Sequence, residues 1–130
     1  MIYMLDTDTV SFIVKKNSSV IRNLIKHEDD EICISAITYA ELFYGLEKRG
    51  SERLFSEISS VIGKLSIIAF DDSQSELYGK IRFKLEQSGT PLGDMDILIA
   101  AAAMQTGAVL VSHNKNHFSR IKGIKIEDWC

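Results

Sequence analysis

The chain has 130 residues, 15 Lys+Arg against 18 Asp+Glu and a formal net charge of −3, with 45% hydrophobic and 25% charged residues. That is enough apolar material for one domain with a full core, and it excludes a disordered chain, a collagen-like repeat and a fold dependent on disulfides. The longest apolar run, residues 97–104, falls far short of the ~20 residues that span a bilayer, so no membrane segment is expected.

In chain order, the first predicted element is a strand over residues 2–5, a short apolar run. No basic leader precedes it, so the start does not read as a signal peptide. Asp6 follows the strand directly, and Asp8 precedes a helical stretch over 9–15. Asp8 reads as the helix cap. A carboxylate at Asp6, at the end of a buried strand, is costly unless paired or metal-bound. A second helix is expected over 18–27, then an acidic run over 28–31 that reads as a solvated face. The strand over 32–34 contains Cys33. Cys33 and Cys130 make no disulfide framework, which points to a reducing, cytoplasmic setting.

A helix is predicted over 37–48. Thr38 and Glu41 have the spacing of a capping box. Ile37, Ala40 and Tyr44 form an i, i+3, i+7 stripe that sets Glu41 along the inward face. Cap and ligand are equally good readings of Glu41. Next come a helix over 52–62, a strand over 65–70 and a helix over 73–88. In the last, Leu77, Ile81 and Leu85 recur at i, i+4, i+8, Ser73 and Glu76 form a capping box, and Gly89 ends the run. The most apolar helix is expected over 95–106. Asp94 is its better cap, and Asp96 projects about 200° away from Asp94, toward a site. A strand over 109–111 leads to Asn114, a turn residue that can also hold a water. His113 and His117 have i, i+4 spacing, but no helix is predicted there and no Cys accompanies them, which disfavours zinc. A weak strand over 124–126 closes the chain.

Strands alternating with helices predict an α/β fold. We expect a single domain over 1–130, with a mostly parallel central sheet of four to five strands and helices on both faces. Ligands of such sheets bind beyond the carboxyl ends of the strands. Asp6, Glu41 and Asp96 come from three separate elements and all fall on that edge. Three carboxylates without His or Cys suit Mg²⁺ or Mn²⁺. No Ser-His or Cys-His pair is apparent, so water is the natural attacker and metal-assisted phosphoryl transfer the natural chemistry.

Four segments, in order, carry a resemblance. They are Met4-Leu-Asp-Thr-Asp8, Ile34-Ser-Ala-Ile-Thr-Tyr-Ala-Glu-Leu-Phe-Tyr-Gly45, Gly89-Thr-Pro-Leu-Gly-Asp-Met-Asp-Ile-Leu-Ile-Ala-Ala101 and Val109-Leu-Val-Ser-His-Asn-Lys-Asn-His-Phe118. With the ending Ile126-Glu-Asp-Trp129, they make the chain resemble PIN-domain ribonucleases, and more narrowly the VapC toxins of type II toxin–antitoxin pairs. The resemblance implies a PIN-like fold with Asp6, Glu41 and Asp96 as catalytic, metal-holding acids and Asn114 as a fourth, auxiliary group. Two positions depart from the family pattern: Asp8, where Asn or Ser is commoner, and Asp94, an added acid beside the site.

It further implies RNA hydrolysis leaving a 5′-phosphate and a 3′-hydroxyl, with a tRNA as substrate, the initiator tRNA anticodon stem-loop favoured, and arrest of translation as the result. The implied partners are a VapB-type antitoxin whose C-terminal segment enters the site, a second copy in a homodimer, and operator DNA only through the antitoxin. From charge alone, Lys80, Arg82, Lys84, Lys115 and Lys122 are candidate RNA grips. Val20, Ile21, Phe55 and Ile58 are candidate protein contacts, with plain core as the competing reading. A rival enzyme class is a haloacid-dehalogenase-like phosphatase with Asp6 as nucleophile and Asp8 as acid, but it leaves Glu41 without a role.

Overall fold

A computed structural model describes residues 1–130. Strand β1 (Ile2–Leu5) lies at the centre, and Met4 and Leu5 are fully buried. β2 (Glu31–Ser35) and β4 (Val109–Val111) pair with it on either side, β3 (Ser66–Ile68) flanks β2, and β5 (Ile126–Glu127) flanks β4. The order is β3-β2-β1-β4-β5 and every pairing is parallel. Strand order reverses between β1 and β4, so this sheet has its switch point, and its expected ligand crevice, above those two strands.

Successive strand residues face opposite sides, which divides the core in two. Met4, Cys33 and Leu110 point to one layer. It is covered by α5 (Asp72–Gln87), α6 (Asp94–Thr106) and the one-turn α7 (Lys115–Phe118). Tyr3, Leu5, Ile34, Val109 and Val111 point to the other. There lie α1 (Thr7–Val14), α2 (Ser18–Lys26), α3 (Ala36–Arg49) and α4 (Glu52–Ile62). Ala100 to Ala103 are all fully buried in α6, small enough to let this helix sit between the sheet and α5. Trp129 ties the chain's end to the second layer: its ring stacks on His27 at 5.1 Å, and its carbonyl accepts from Ser19 Oγ at 2.8 Å.

The predicted α/β class, the parallel sheet and the helices on both faces are all present. Several local expectations are corrected. β3 covers only part of 65–70, because it is an edge strand with Ser66 and Ile67 exposed. β5 begins at Ile126 rather than 124, where pairing with β4 starts. Ser35, not Thr38, caps α3, accepting from the Thr38 amide at 3.1 Å. Asp71, not Ser73, caps α5 through the Gln74 amide at 2.9 Å. The buried stripe of α3 is Thr38, Leu42 and Leu46, whereas Tyr44 is 69% exposed. Val20 and Ile58 are core residues, Ile21 is half-buried and Phe55 is exposed. No helix is long and apolar enough to cross a membrane.

Candidate active site

The carboxyl ends of β1, β2 and β4 each deliver a helix or turn bearing chemistry. Asp6 leaves β1 only 4% exposed, its amide bonded to the Val111 carbonyl of β4 at 3.1 Å. It is the N-cap of α1: Oδ1 accepts from the Thr9 amide at 2.9 Å. Asp8, the expected cap, instead lies exposed in the first turn. The Thr9 amide thus fixes the orientation of Asp6. Burial pushes the Asp6 carboxyl above its ordinary range, the Asp8 charge adds to this, and hydrogen bonds from Ser112 and Thr9 oppose it.

Glu41 sits half-buried in the second turn of α3. It is no cap. Its Oε1 accepts from Thr7 Oγ1 at 2.6 Å, across 34 residues of sequence, which holds it beside the start of α1. Asp96 lies half-buried in the first turn of α6. Burial raises its carboxyl too, the Asp8 charge adds to this, and His117 on α7 lowers it. Neither Asp94 nor Asp96 caps α6; its N-cap is Gly93, without a side-chain bond. Both acids still complement the helix dipole. Asp94 turns away toward α5, where it accepts from Tyr78 Oη at 3.1 Å and meets Arg82 at 3.4 Å. Asn114 follows β4, its amide bonded to Ser112 Oγ at 3.0 Å and its Nδ2 3.4 Å from Asp8 Oδ2.

Asp6, Glu41, Asp96 and Asn114 therefore occupy one edge of the sheet. Asp8 lies among them, its charge felt by both Asp6 and Asp96. No ion pair neutralises this cluster: Asp6, Asp8, Glu41 and Asp96 enter none of those in the chain, and His117 acts on Asp96 only from a distance. Yet no three of their ligand oxygens lie within 4.8 Å of one another. An all-oxygen, uncompensated donor set of this kind fits a hard divalent cation. Mg²⁺ commonly takes one or two carboxylates directly and keeps several waters, so the spread is compatible with it.

The sequence missed one cluster here. His113 is bonded to Asp128 (Nδ1 to Oδ2, 3.0 Å), and the Cys130 thiol lies with them, all donor atoms within 4.8 Å. His117 is not part of this cluster; its charge acts on Asp96. Only the pairing of β5 with β4 brings the chain's end to this edge, and no local pattern announces it. A separate cleft of about 280 Å³ opens beside Glu41, walled by α1, α3 and α4, with Lys15 and Arg49 at its rim.

Comparison with known proteins places the chain in a family. The family model described as "PIN domain" matches residues 3–124. A curated relative, the tRNA(fMet)-specific endonuclease VapC of Salmonella typhimurium, is 40% identical over 129 residues, covering 98% of each chain. Ribonuclease VapC2 of Haemophilus influenzae is 34% identical over 128 residues, covering 98% of this chain and 97% of the relative. Among solved structures, VapBC2 from Rickettsia felis bound to a promoter DNA fragment superposes with a TM-score of 0.92 at 36% identity over the full length of both chains. DNA-bound VapBC from Salmonella typhimurium gives 0.91 at 37% identity, covering 100% of this chain and 99% of that one.

Proposed function

Since this chain belongs to the PIN domain family, in its VapC ribonuclease branch, we propose that it is a single-domain, metal-dependent endoribonuclease toxin that cuts tRNA and so arrests translation. The initiator tRNA is the favoured substrate, because a relative at 40% identity is specific for it. One observation carries the reading: acids from three elements gather at the sheet's switch point without an ion-pair partner. Asp6, Glu41 and Asp96 would hold Mg²⁺ or Mn²⁺. When bound, such an ion polarises the phosphodiester and eases ionisation of water. Attack by water in line with the leaving 3′-oxygen leaves a 5′-phosphate and a 3′-hydroxyl.

The chain's own groups orient these acids. The Thr9 amide aims Asp6, and Thr7 holds Glu41. Asn114 is the auxiliary group, fixed by Ser112. Thr7→Val is expected to lower cleavage roughly tenfold at limiting Mg²⁺, with recovery at high Mg²⁺, because partners of ligating carboxylates are worth about 10–100-fold in affinity or activity. Thr7→Ser keeps the donor and should cleave like wild type. An equal loss at all Mg²⁺ concentrations would mean that Thr7 does not position Glu41.

The phosphatase alternative has a direct test in Asp8. This residue is exposed, and exposed charge effects of up to ~1 kcal/mol amount to about fivefold. Asp8→Asn should therefore keep RNA cleavage within about that factor, whereas a phosphatase using Asp8 as its acid would lose nearly all turnover. The direct assay of the nuclease reading is cleavage of total tRNA with Mg²⁺ or Mn²⁺ and with a chelator, followed by mapping of the new 5′ ends. Intact tRNA under every condition would end it.

The same reading assigns a VapB-type antitoxin as partner, since the superposing structures are VapBC complexes. The cleft beside Glu41, with Leu42 and Ile58 in its wall, offers an apolar seat next to the acids for an antitoxin segment. A basic antitoxin side chain there would compete with the cation. Operator DNA would be met only through the antitoxin, and the toxin would pair as a homodimer and act in the cytoplasm.

A further inference from the structure

Ion pairing sorts the cations of the chain into engaged and free. Arg82 is engaged: it meets Glu86 at 3.0 Å and Asp94 at 3.4 Å. Lys80, Lys84, Arg120 and Lys122 meet no carboxylate. These four nevertheless stand around one groove of about 340 Å³, two on α5 and two on the segment that follows α7. In a chain with more acids than bases, four free cations held together repel one another, and an entering polyanion relieves that repulsion.

The groove has a direction. Met104, near the end of α6, lies in its floor. At the other end, Arg120 Nη1 donates to the Pro91 carbonyl at 3.2 Å, in the loop that leads into the first turn of α6 and Asp96. The Arg120 end of the groove therefore adjoins the loop that leads to Asp96, and the four cations around it can meet several phosphates of one strand. Its floor is aliphatic apart from Met104, and no aromatic side chain lines it. Base stacking on aromatic side chains is the usual means of holding unpaired bases. A cationic groove without it engages backbone charge and not base identity.

We propose that this groove grips the phosphate backbone of the RNA at a distance from the scissile bond, independently of sequence. The proposal rests on the nuclease reading for its occupant. It replaces Arg82 with Arg120 among the grips expected from charge, and Lys115 stands outside the groove. The test is filter binding of unfractionated tRNA in chelator, across a range of salt, so that nothing is cut. Lys80→Gln/Lys84→Gln is compared with Lys26→Gln/Lys64→Gln, which removes equal charge from surfaces away from the groove. All four lysines are exposed, and thermal melting checks that both variants fold.

The groove variant should bind roughly tenfold more weakly at low salt and lose about 1.5 from the magnitude of the log K against log salt slope, just under one for each phosphate contact. The control should keep the wild-type slope. A groove variant with the wild-type slope, a control that loses as much, or a wild type that binds no tRNA overturns the proposal. Cleavage in Mg²⁺ is scored separately. A protein that shows the groove effect but cuts no tRNA would remove the nuclease reading alone, and one that cuts without a groove effect would remove the groove alone.

Discussion

Asp6→Asn should abolish RNA cleavage, on the order of a thousandfold or more, and yet raise the melting temperature of the protein in chelator. The two effects share a cause. Asp6 is 4% exposed, and burial together with the nearby Asp8 charge makes its ionised form costly when no cation is present. Asn removes the charge but keeps an oxygen for the Thr9 amide, and Asn caps helices as well as Asp does. The gain should be a few degrees. Asp6→Ala separates the contributions, since it also loses the cap, worth about 1 kcal/mol, and should melt below Asp6→Asn. In Mg²⁺ the order reverses, because only the wild type gains from the ion. Cleavage above a tenth of the wild-type rate in Asp6→Asn would remove this residue from the metal-holding set.

What could be read from the sequence follows the range of the forces involved. β1 and β4 were legible because a buried parallel strand is a short, unbroken apolar run. Asp6 was legible as a ligand for the same reason: the run ends there with a charge. Capping is open to both Asp6 and Asp8 in the sequence, and the Thr9 amide assigns it to Asp6. Glu41 shows the limit more plainly. Its local pattern offered a capping box, but Ser35 holds the extended conformation that caps α3, and Glu41 is fixed by Thr7 across 34 residues. Asp94 was misread in the same way, because Tyr78 and Arg82 on α5 draw it off the helix end. The α7 turn was missed because burial of Phe118 in the first layer, and not a helical repeat, accounts for it. Tertiary contacts decided Glu41, Asp94 and α7, whereas the caps at Asp6 and Ser35 are local contacts shifted along the chain from the expected ones.

The second large effect joins metal to pH. Chelation should stop cleavage altogether, and it should also invert the contribution of Asp6 and Asp96 to stability. Without a cation both carboxyls titrate above 3.8, chiefly through burial. The folded state then holds those protons more tightly than the unfolded state. By linkage the stability they contribute is complete below 3.8 and is lost as pH rises through their raised values. A bound divalent ion favours the ionised form and draws the folded values below the unfolded ones. The sign then changes: the contribution is present at neutral pH and is lost as pH falls through the depressed values. Other groups titrate in both samples alike, so the informative quantity is the difference in melting temperature between Mg²⁺ and chelator. That difference should be small near pH 4 and grow toward pH 7, with the same trend weakened in Asp96→Asn. A difference that stays flat with pH would mean that the ion binds away from these acids, and the absence of any difference would mean that the cluster holds none.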